Sequence, residues 1–560
     1  MQSSFTFQTV ERVLSDTIKN AIKSKYKIES NILDKLLLES SLLEIPSEKM
    51  YGDIAISVAM RLAKILCVSP MEISGVIAKG LDDSNIPIDS VEIVKPGFVN
   101  IKFAWKVLKS SLENAIVNPE FGSWSILRKE DDSPMSIQLE FISANPTGQL
   151  NVVNARAASL GLALCNLLKK IGAEVKTEYF VNDEGRQIRL LAESIIASYR
   201  ILQGEEAEYP EDGYRGDYID KLARNLEEVS FQKDDVEKVT RWAVDRIVEM
   251  QKNVSSDFGV EFDNWFFQSS LKENDYEIVL EKLRERDACY EKDGALWIKT
   301  SDYGDVQDWV LITSDGRYTY HFADLAYHLN KWDRGFDRVI NILGPDHYAH
   351  ISMMKSGVKA LGLPDDWLDI IIAQQVNIIE GKEKVKMGKR IGRYITMDEL
   401  IKEVSSDVCK FFFLERSSSA HIDFDFELAK KASMENPVYY IQYAYARIES
   451  VRREAERIGQ LMPNDVDIDV EVYSDEEREL AREIFYYPSI IRTSALGKKV
   501  QLLTTYLQNI AGLFHKYYTK NRILGIKEQL SYSRQFLSYA VASVIKDGLG
   551  KLGISAPDRM

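Results

Sequence analysis

The chain has 560 residues, more than one hydrophobic core normally serves, so three or four domains are expected. With 45% hydrophobic and 28% charged residues it reads as an ordinary globular protein. No apolar run is long enough to span a membrane, and the opening residues lack the pattern of a signal peptide. A net charge of -15 argues against a general nucleic-acid coat protein, although a local basic face could still meet a nucleic acid.

The cysteines Cys67, Cys165, Cys289 and Cys409 lie far apart and form no CxxC pair, so they read as buried thiols of a cytoplasmic protein, with no disulfide or zinc site. All six histidines (His321, His328, His347, His350, His421, His515) follow residue 320, which confines any histidine chemistry to the second part of the chain.

In chain order, residues 1–125 form an α+β unit. Ile54 to Leu66 has helical apolar spacing, and Gly97 to Phe103 reads as a strand. The polar stretch Lys129 to Pro134 marks a boundary. A second unit, 130–430, opens with a strand from Ser136 to Ile142. The turn Ser143-Ala-Asn-Pro-Thr-Gly148, a helix from about Arg156 to Ile171 stopped by Gly172, and a strand from Val175 to Val181 follow. That order predicts a parallel, Rossmann-like nucleotide-binding layer. Residues of about 200–290 are polar and helical in pattern, like an insertion. Strand character returns at Ala295–Lys299, Trp309–Ile312, Val339–Leu343 and Asp369–Ala373. Residues 431–560 read as an all-helical bundle, interrupted by an acidic linker between Pro463 and Glu477.

Two stretches carry chemistry. Lys382 to Arg393 holds six basic residues and one acidic residue, a local charge of +5. Gly388 and Gly392 let its backbone bend towards an anion, and its lysines suit a polyphosphate whose charge grows during transfer. A solvated basic turn would look the same. The segment Glu140 to Arg156 is a strand-to-helix turn whose helix N–H groups, with Asn145, Asn151 and Asn154, could meet phosphate. A capped helix after an Asn-Pro turn is the plainer reading.

Together, in this order, the two segments resemble the paired ATP signatures of class I aminoacyl-tRNA synthetases, and the chain is similar to the arginyl-tRNA synthetase family. Ser143-Ala-Asn-Pro-Thr-Gly148 resembles that family's lead-in to its first signature, and Lys386-Met-Gly-Lys-Arg390 its KMSKR loop. Asn436-Pro-Val-Tyr-Tyr-Ile-Gln-Tyr-Ala-Tyr-Ala-Arg447 and Gly553 to Met560 resemble its anticodon-binding bundle. Tyr51-Gly-Asp-Ile-Ala and Lys95-Pro-Gly-Phe-Val-Asn resemble its N-terminal tRNA-binding domain.

The resemblance implies attachment of L-arginine to tRNA-Arg through an arginyl-adenylate, in a cytoplasmic monomer. ATP would arrive as its Mg2+ complex, and no protein-held metal is expected. Lys386, Lys389, Asn151 and Asn154 would act on the reacting phosphates. ATP would further be held by Gly344, Asp346, His347 and Met387, and arginine by Glu140, Asn145, Tyr320 and Asp324. The tRNA would meet Phe98, Asn100, Tyr440, Tyr443 and Met560. Tyr445 stands where the family often has histidine.

One departure stands out: where the family usually has a His-x-Gly-His signature, this chain reads Asn151-Val-Val-Asn154. An asparagine amide also donates hydrogen bonds, without a proton to gain or lose. A catalytically silent, tRNA-binding paralogue is therefore an alternative, as is a synthetase of the same fold for another amino acid.

Overall fold

The computed structural model describes residues 5–33, 42–46, 48–348, 350–380, 383–385, 395–463, 467–470 and 473–560. The helix Phe7–Lys25 begins at the N-cap Thr6 and buries Phe7, Val10, Leu14, Ile18 and Ile22, one stripe at spacings of three and four. Beside it lies an antiparallel sheet in the order β1 (Ile54–Ile56), β3 (Phe98–Phe103), β2 (Ile88–Val94). The stretch expected to be one helix from Ile54 thus divides. Ile54 and Ile56 pair with Ile101 and Val99, and helix begins only at Val58. A short apolar run fits either period, and sheet pairing decided this one.

The central sheet has five parallel strands in the order β11 (Leu368–Ile372), β10 (Arg338–Leu343), β4 (Ser136–Phe141), β5 (Glu174–Val181), β6 (Asn264–Phe267). The helix Val152–Lys170 connects β4 to β5 and packs on the sheet at Gly161, where an added Cβ would lie 2.3 Å from the Phe141 ring. Strand β6 falls within the stretch expected to be mostly helical. Its Trp265, Phe266 and Phe267 complete the sheet edge. Conversely, β8 (Ala295–Ile298) and β9 (Trp309–Ile312) join β7 (Cys289–Lys292) in a separate antiparallel sheet.

Strands β12 (Val376–Glu380), β13 (Glu383–Val385) and β14 (Ile422–Asp425) form a small third layer. The long helices Pro437–Arg457, Asp475–Leu496, Gln501–Lys520 and Glu528–Lys551 follow. The N-terminal unit docks on the second of these through Arg478, which pairs with Asp53 at 2.8 Å, and through the pair Arg492–Glu11. All four cysteines are free, and Cys67 is exposed, contrary to expectation. It caps its helix with φ 53°, which places it at the surface.

Candidate active site

Strand β4 stands where the strand order turns, with β5 on one side and β10 on the other. A crevice opens at the carboxyl ends of strands at such a switch point. A cavity of about 370 Å³ lies here. Its lining includes Glu140 and Ile142 from the end of β4, Phe180 from β5, Asn341 from β10, and Tyr320 and Asp324 from the helix Tyr320–Asp333. Of the residues expected to bind arginine or ATP, Glu140, Asn145, Tyr320, Asp324, Gly344 and His347 all border it.

The turn beyond β4 is strained and braced. Ile142 and Ser143 have φ of 68° and 41°, rare for non-glycine residues and most costly for a β-branched one. Ser143 Oγ donates to Glu140 Oε1 at 2.9 Å and accepts from the Phe180 N–H at 3.1 Å. Gln251 Nε2 donates to the carbonyls of Asn145 (3.3 Å) and Gly148 (3.0 Å), and the Tyr218 hydroxyl to that of Thr147 (3.0 Å). Helices of the polar 200–290 region therefore hold the turn in place. Asn145 Nδ2 donates to Gln187 Oε1 at 3.0 Å across the cavity wall. Asp183 receives the N–H and hydroxyl of Ser269, which anchors the segment after β6.

The two carboxylates of the arginine set differ in environment. Glu140, expected to help hold arginine, already has a cation from the chain itself: Lys331 Nζ lies 2.6 Å from Glu140 Oε2, with both side chains buried. Asp324 has no hydrogen-bond partner for its carboxylate among the described residues. Burial, reinforced by the nearby charge of Glu140, pushes its carboxyl up to about 8. Tyr320, half-exposed at the cavity, has its hydroxyl pushed up chiefly by Asp324.

His328, also buried, donates from Nδ1 to the Asp324 carbonyl at 2.7 Å, because a carbonyl can only accept. Burial, with Lys331 next in effect, lowers the imidazole to about 3, so it is neutral and its Nε2 accepts from Asn341 Nδ2 at 3.0 Å. Behind this layer Glu178 is fully engaged by Arg334, Tyr327, Gln138 and Asn264. The sequence reading missed Lys331, Asn341 and Glu178. For Lys331 a signal existed, since Asp324, His328 and Lys331 recur at i, i+4 and i+7 on one helix face.

The first signature lies beside the cavity without lining it. Asn151 caps the helix Val152–Lys170. Its Oδ1 accepts from the N–H groups of Val153 (2.9 Å) and Asn154 (3.3 Å), while Asn154 Oδ1 accepts from the Asn151 N–H at 2.9 Å. Those helix N–H groups were expected to be unpaired for phosphate, and the asparagines occupy them instead. Each amide Nδ2 remains as a donor. Asn151 also bridges to Thr396, and Arg156, fully buried, donates to the carbonyls of Gln374 at 2.7 Å and Ser417 at 2.9 Å. The helix is thereby tied to the start of β12 and to the segment before the helix Met397–Val404. The expected phosphate residues Lys386, Met387 and Lys389 fall outside the described residues. Asp346 is exposed in the turn Pro345–His347 and does not border the cavity. Among the described residues no group of three or more His, Cys, Asp or Glu side chains is arranged to hold a metal ion.

The residues expected to meet tRNA lie far from this cavity in sequence. Phe98 and Asn100 share one face of β3. Asn100 is buried at a second cavity that Arg478 and Arg482 also line. Tyr440 packs on His515 at 4.6 Å between rings. Tyr443 stacks on Tyr439 and carries the Arg447 guanidinium 4.5 Å over its ring. Met560 is exposed. Tyr445, which had no reading from sequence, is buried and donates to Asp558 Oδ1 at 3.1 Å, fastening the C-terminal tail to this helix.

Three family models match the chain: "Arginyl tRNA synthetase N terminal domain" at residues 12–103, "tRNA synthetases class I (R), catalytic domain" at 126–412, and "DALR anticodon binding domain" at 441–560. An arginine–tRNA ligase of Carboxydothermus hydrogenoformans is 41% identical, over 94% of this chain and 95% of that protein. One of Thermotoga maritima is 39% identical, over 92% and 95%. The solved Thermus thermophilus arginyl-tRNA synthetase is similar in fold, with a TM-score of 0.76 at 19% identity, over 98% of this chain and all of that one.

Proposed function

The chain belongs to the arginyl-tRNA synthetase family of class I, and on that footing we propose that it attaches L-arginine to tRNA-Arg at the expense of ATP. The observation that carries the substrate assignment is Asp324, a buried carboxylate at the cavity with no hydrogen-bond or ion-pair partner among the described residues. A guanidinium offers charge and paired donors to such a group. In this reading Asp324 and Tyr320 hold the guanidinium, and Glu140 with Asn145 holds the α-ammonium.

The arginine carboxylate then faces the β10 turn, where Gly344 and His347 border the ATP side. The carboxylate attacks the α-phosphate and pyrophosphate leaves. A terminal hydroxyl of the tRNA next attacks the adenylate carbonyl and AMP leaves. No covalent enzyme intermediate is required, so the protein's task is positioning and charge stabilisation. The amides of Asn151 and Asn154 donate to the phosphates, as do Lys386 and Lys389, with Met387 against the nucleotide. Asp346 accepts from a ribose hydroxyl. ATP enters as its Mg2+ complex.

Phe98 and Asn100 meet the body of the tRNA, and Tyr440, Tyr443 and Met560 its anticodon, where unpaired bases stack on rings. The three domains are residues 1–125, 130–430 and 431–560, and the protein acts as a cytoplasmic monomer. Among the described residues no helix is long and apolar enough to cross a membrane. Charging of purified tRNA-Arg with labelled arginine tests the reading. Binding of that tRNA without charging would instead support a silent paralogue.

A further inference from the structure

Behind Glu140, Tyr327 and Asn341, which line the cavity, lies a cation that the reaction itself does not require. Lys331 is fully buried, donates to Glu140 Oε2 at 2.6 Å and to Asn341 Oδ1 at 3.0 Å, and lies 4.4 Å from the centre of the Tyr327 ring. Every hydrogen bond that joins it to Asp324 has a fixed direction. The Asp324 carbonyl accepts from His328 Nδ1, His328 Nε2 accepts from Asn341 Nδ2, and Asn341 Oδ1 accepts from Lys331. Reversing any one member would set two donors or two acceptors against each other. The chain of bonds therefore holds one rotamer of Asn341, one tautomer of His328 and one position of the ammonium. Its two ends are the backbone of Asp324 and the side chain of Glu140.

We infer that Lys331 is a positioning residue for arginine, a built-in counter-cation that pairs with Glu140 and holds its carboxylate in place for the substrate while leaving Asp324 as the one unpaired carboxylate. This rests on the reading of the cavity as the arginine site. A glutamate without that partner would be a second uncompensated charge beside Asp324, and the two would compete for the one net positive charge of the substrate. With Lys331 in place, two carboxylates and one ammonium complement an amino acid that carries two positive groups and one negative. Lys331 touches neither the nucleotide side of the cavity nor the β10 turn, so its effect is confined to the amino acid.

The test is a double-mutant comparison in tRNA charging, reading KM for arginine and for ATP. Lys331→Met is placed in the parent chain and in Glu140→Gln. Lys331→Gln, which keeps a donor and removes the charge, serves the same purpose if the methionine variant does not fold. The expected result is a rise in arginine KM of about tenfold or more in the parent, less than twofold in the Glu140→Gln background, and an unchanged KM for ATP. An equal rise in both backgrounds, or an equal rise for arginine and ATP, overturns the inference. Asp324→Asn, measured alongside, separates the two layers. If it leaves arginine KM within twofold of the parent, the arginine site is elsewhere and the inference falls with it. If it raises KM steeply while Lys331→Met does not, the site stands and Lys331 is only structural.

Discussion

Lys331 and Asp324 share one face of the helix Tyr320–Asp333, yet the ammonium is bound to Glu140 at 2.6 Å while the carboxylate has no partner among the described residues. Both groups are buried, where an unpaired charge is far more costly than at the surface. Burial accordingly favours the protonated form of Asp324 in the empty cavity, and a cation entering beside it would favour the ionised form.

Asp324→Asn should therefore weaken arginine selectively. Removing one member of a buried, hydrogen-bonded charge pair costs about 2–5 kcal/mol, which is roughly thirtyfold to several thousandfold in kcat/KM for arginine. The KM for ATP should stay within about twofold of the parent, since the β10 turn is untouched. Steady-state charging kinetics with each substrate varied in turn check this.

Binding of arginine should strengthen as pH rises. With the Asp324 carboxyl pushed up to about 8, the empty site is protonated at neutral pH, whereas the guanidinium requires the ionised form. Binding below about pH 8 must expel that proton, so arginine affinity should rise by up to about tenfold per pH unit between 6 and 8. The same group makes the empty fold less stable as pH rises. Between the ordinary carboxyl value of 3.8 and about 8 the folded chain holds a proton that the unfolded chain has lost. The stabilisation is full below the lower value and is lost as pH passes the upper one. Asp324→Asn should remove both effects, in calorimetry with arginine and in Tm measured across pH 5 to 9.

The asparagine pair separates capping from catalysis. Asn151→Ser retains an oxygen for the N–H groups of Val153 and Asn154 but lacks the amide donor, whereas Asn151→Ala lacks both. The alanine variant should lose about 0.5–2 kcal/mol of stability and the serine variant little. If the amide contacts the phosphates, both variants should raise the KM for ATP or lower kcat. A serine variant with parental kinetics would confine Asn151 to capping.

Tyr445→Phe should leave the cavity untouched and disturb the tail. Its hydroxyl bond to Asp558 contributes about 1 kcal/mol of stability, and without it Met560 is less firmly placed. A several-fold rise in the KM for tRNA, with arginine and ATP unaffected, is the expected signature.

Much of this was legible from residues alone, where local pattern and final environment agree. Strands β4, β5, β10 and β11 lie close to the expected spans, because β10 and β11 are short, mainly apolar runs and β4 and the start of β5 alternate apolar with polar residues. The helix after the Asn-Pro turn starts four residues before the expected Arg156, since the capping role of Asn151 was not assigned. Strand β6 was hidden because three aromatic residues in a polar, helical region give no alternation to read. Glu140, Asn145, Tyr320 and Asp324 came from a family resemblance. The sequence could not reveal that Lys331 neutralises Glu140, for that contact spans 191 positions and depends on how a helix lies over β4. A capped helix was one reading of this segment, but asparagine at both Asn151 and Asn154 departs from the usual Ser/Thr-x-x-Glu/Gln signature, so the reciprocal box was not marked.

The most direct measurement is charging of tRNA-Arg by the intact chain with labelled arginine and ATP, beside Asp324→Asn. The account predicts rapid charging by the parent, with catalytic efficiency for arginine at least thirtyfold lower in the variant and an unchanged KM for ATP. Failure of the parent to charge a tRNA that it binds would contradict it, as would an Asp324→Asn variant that charges with parental arginine kinetics.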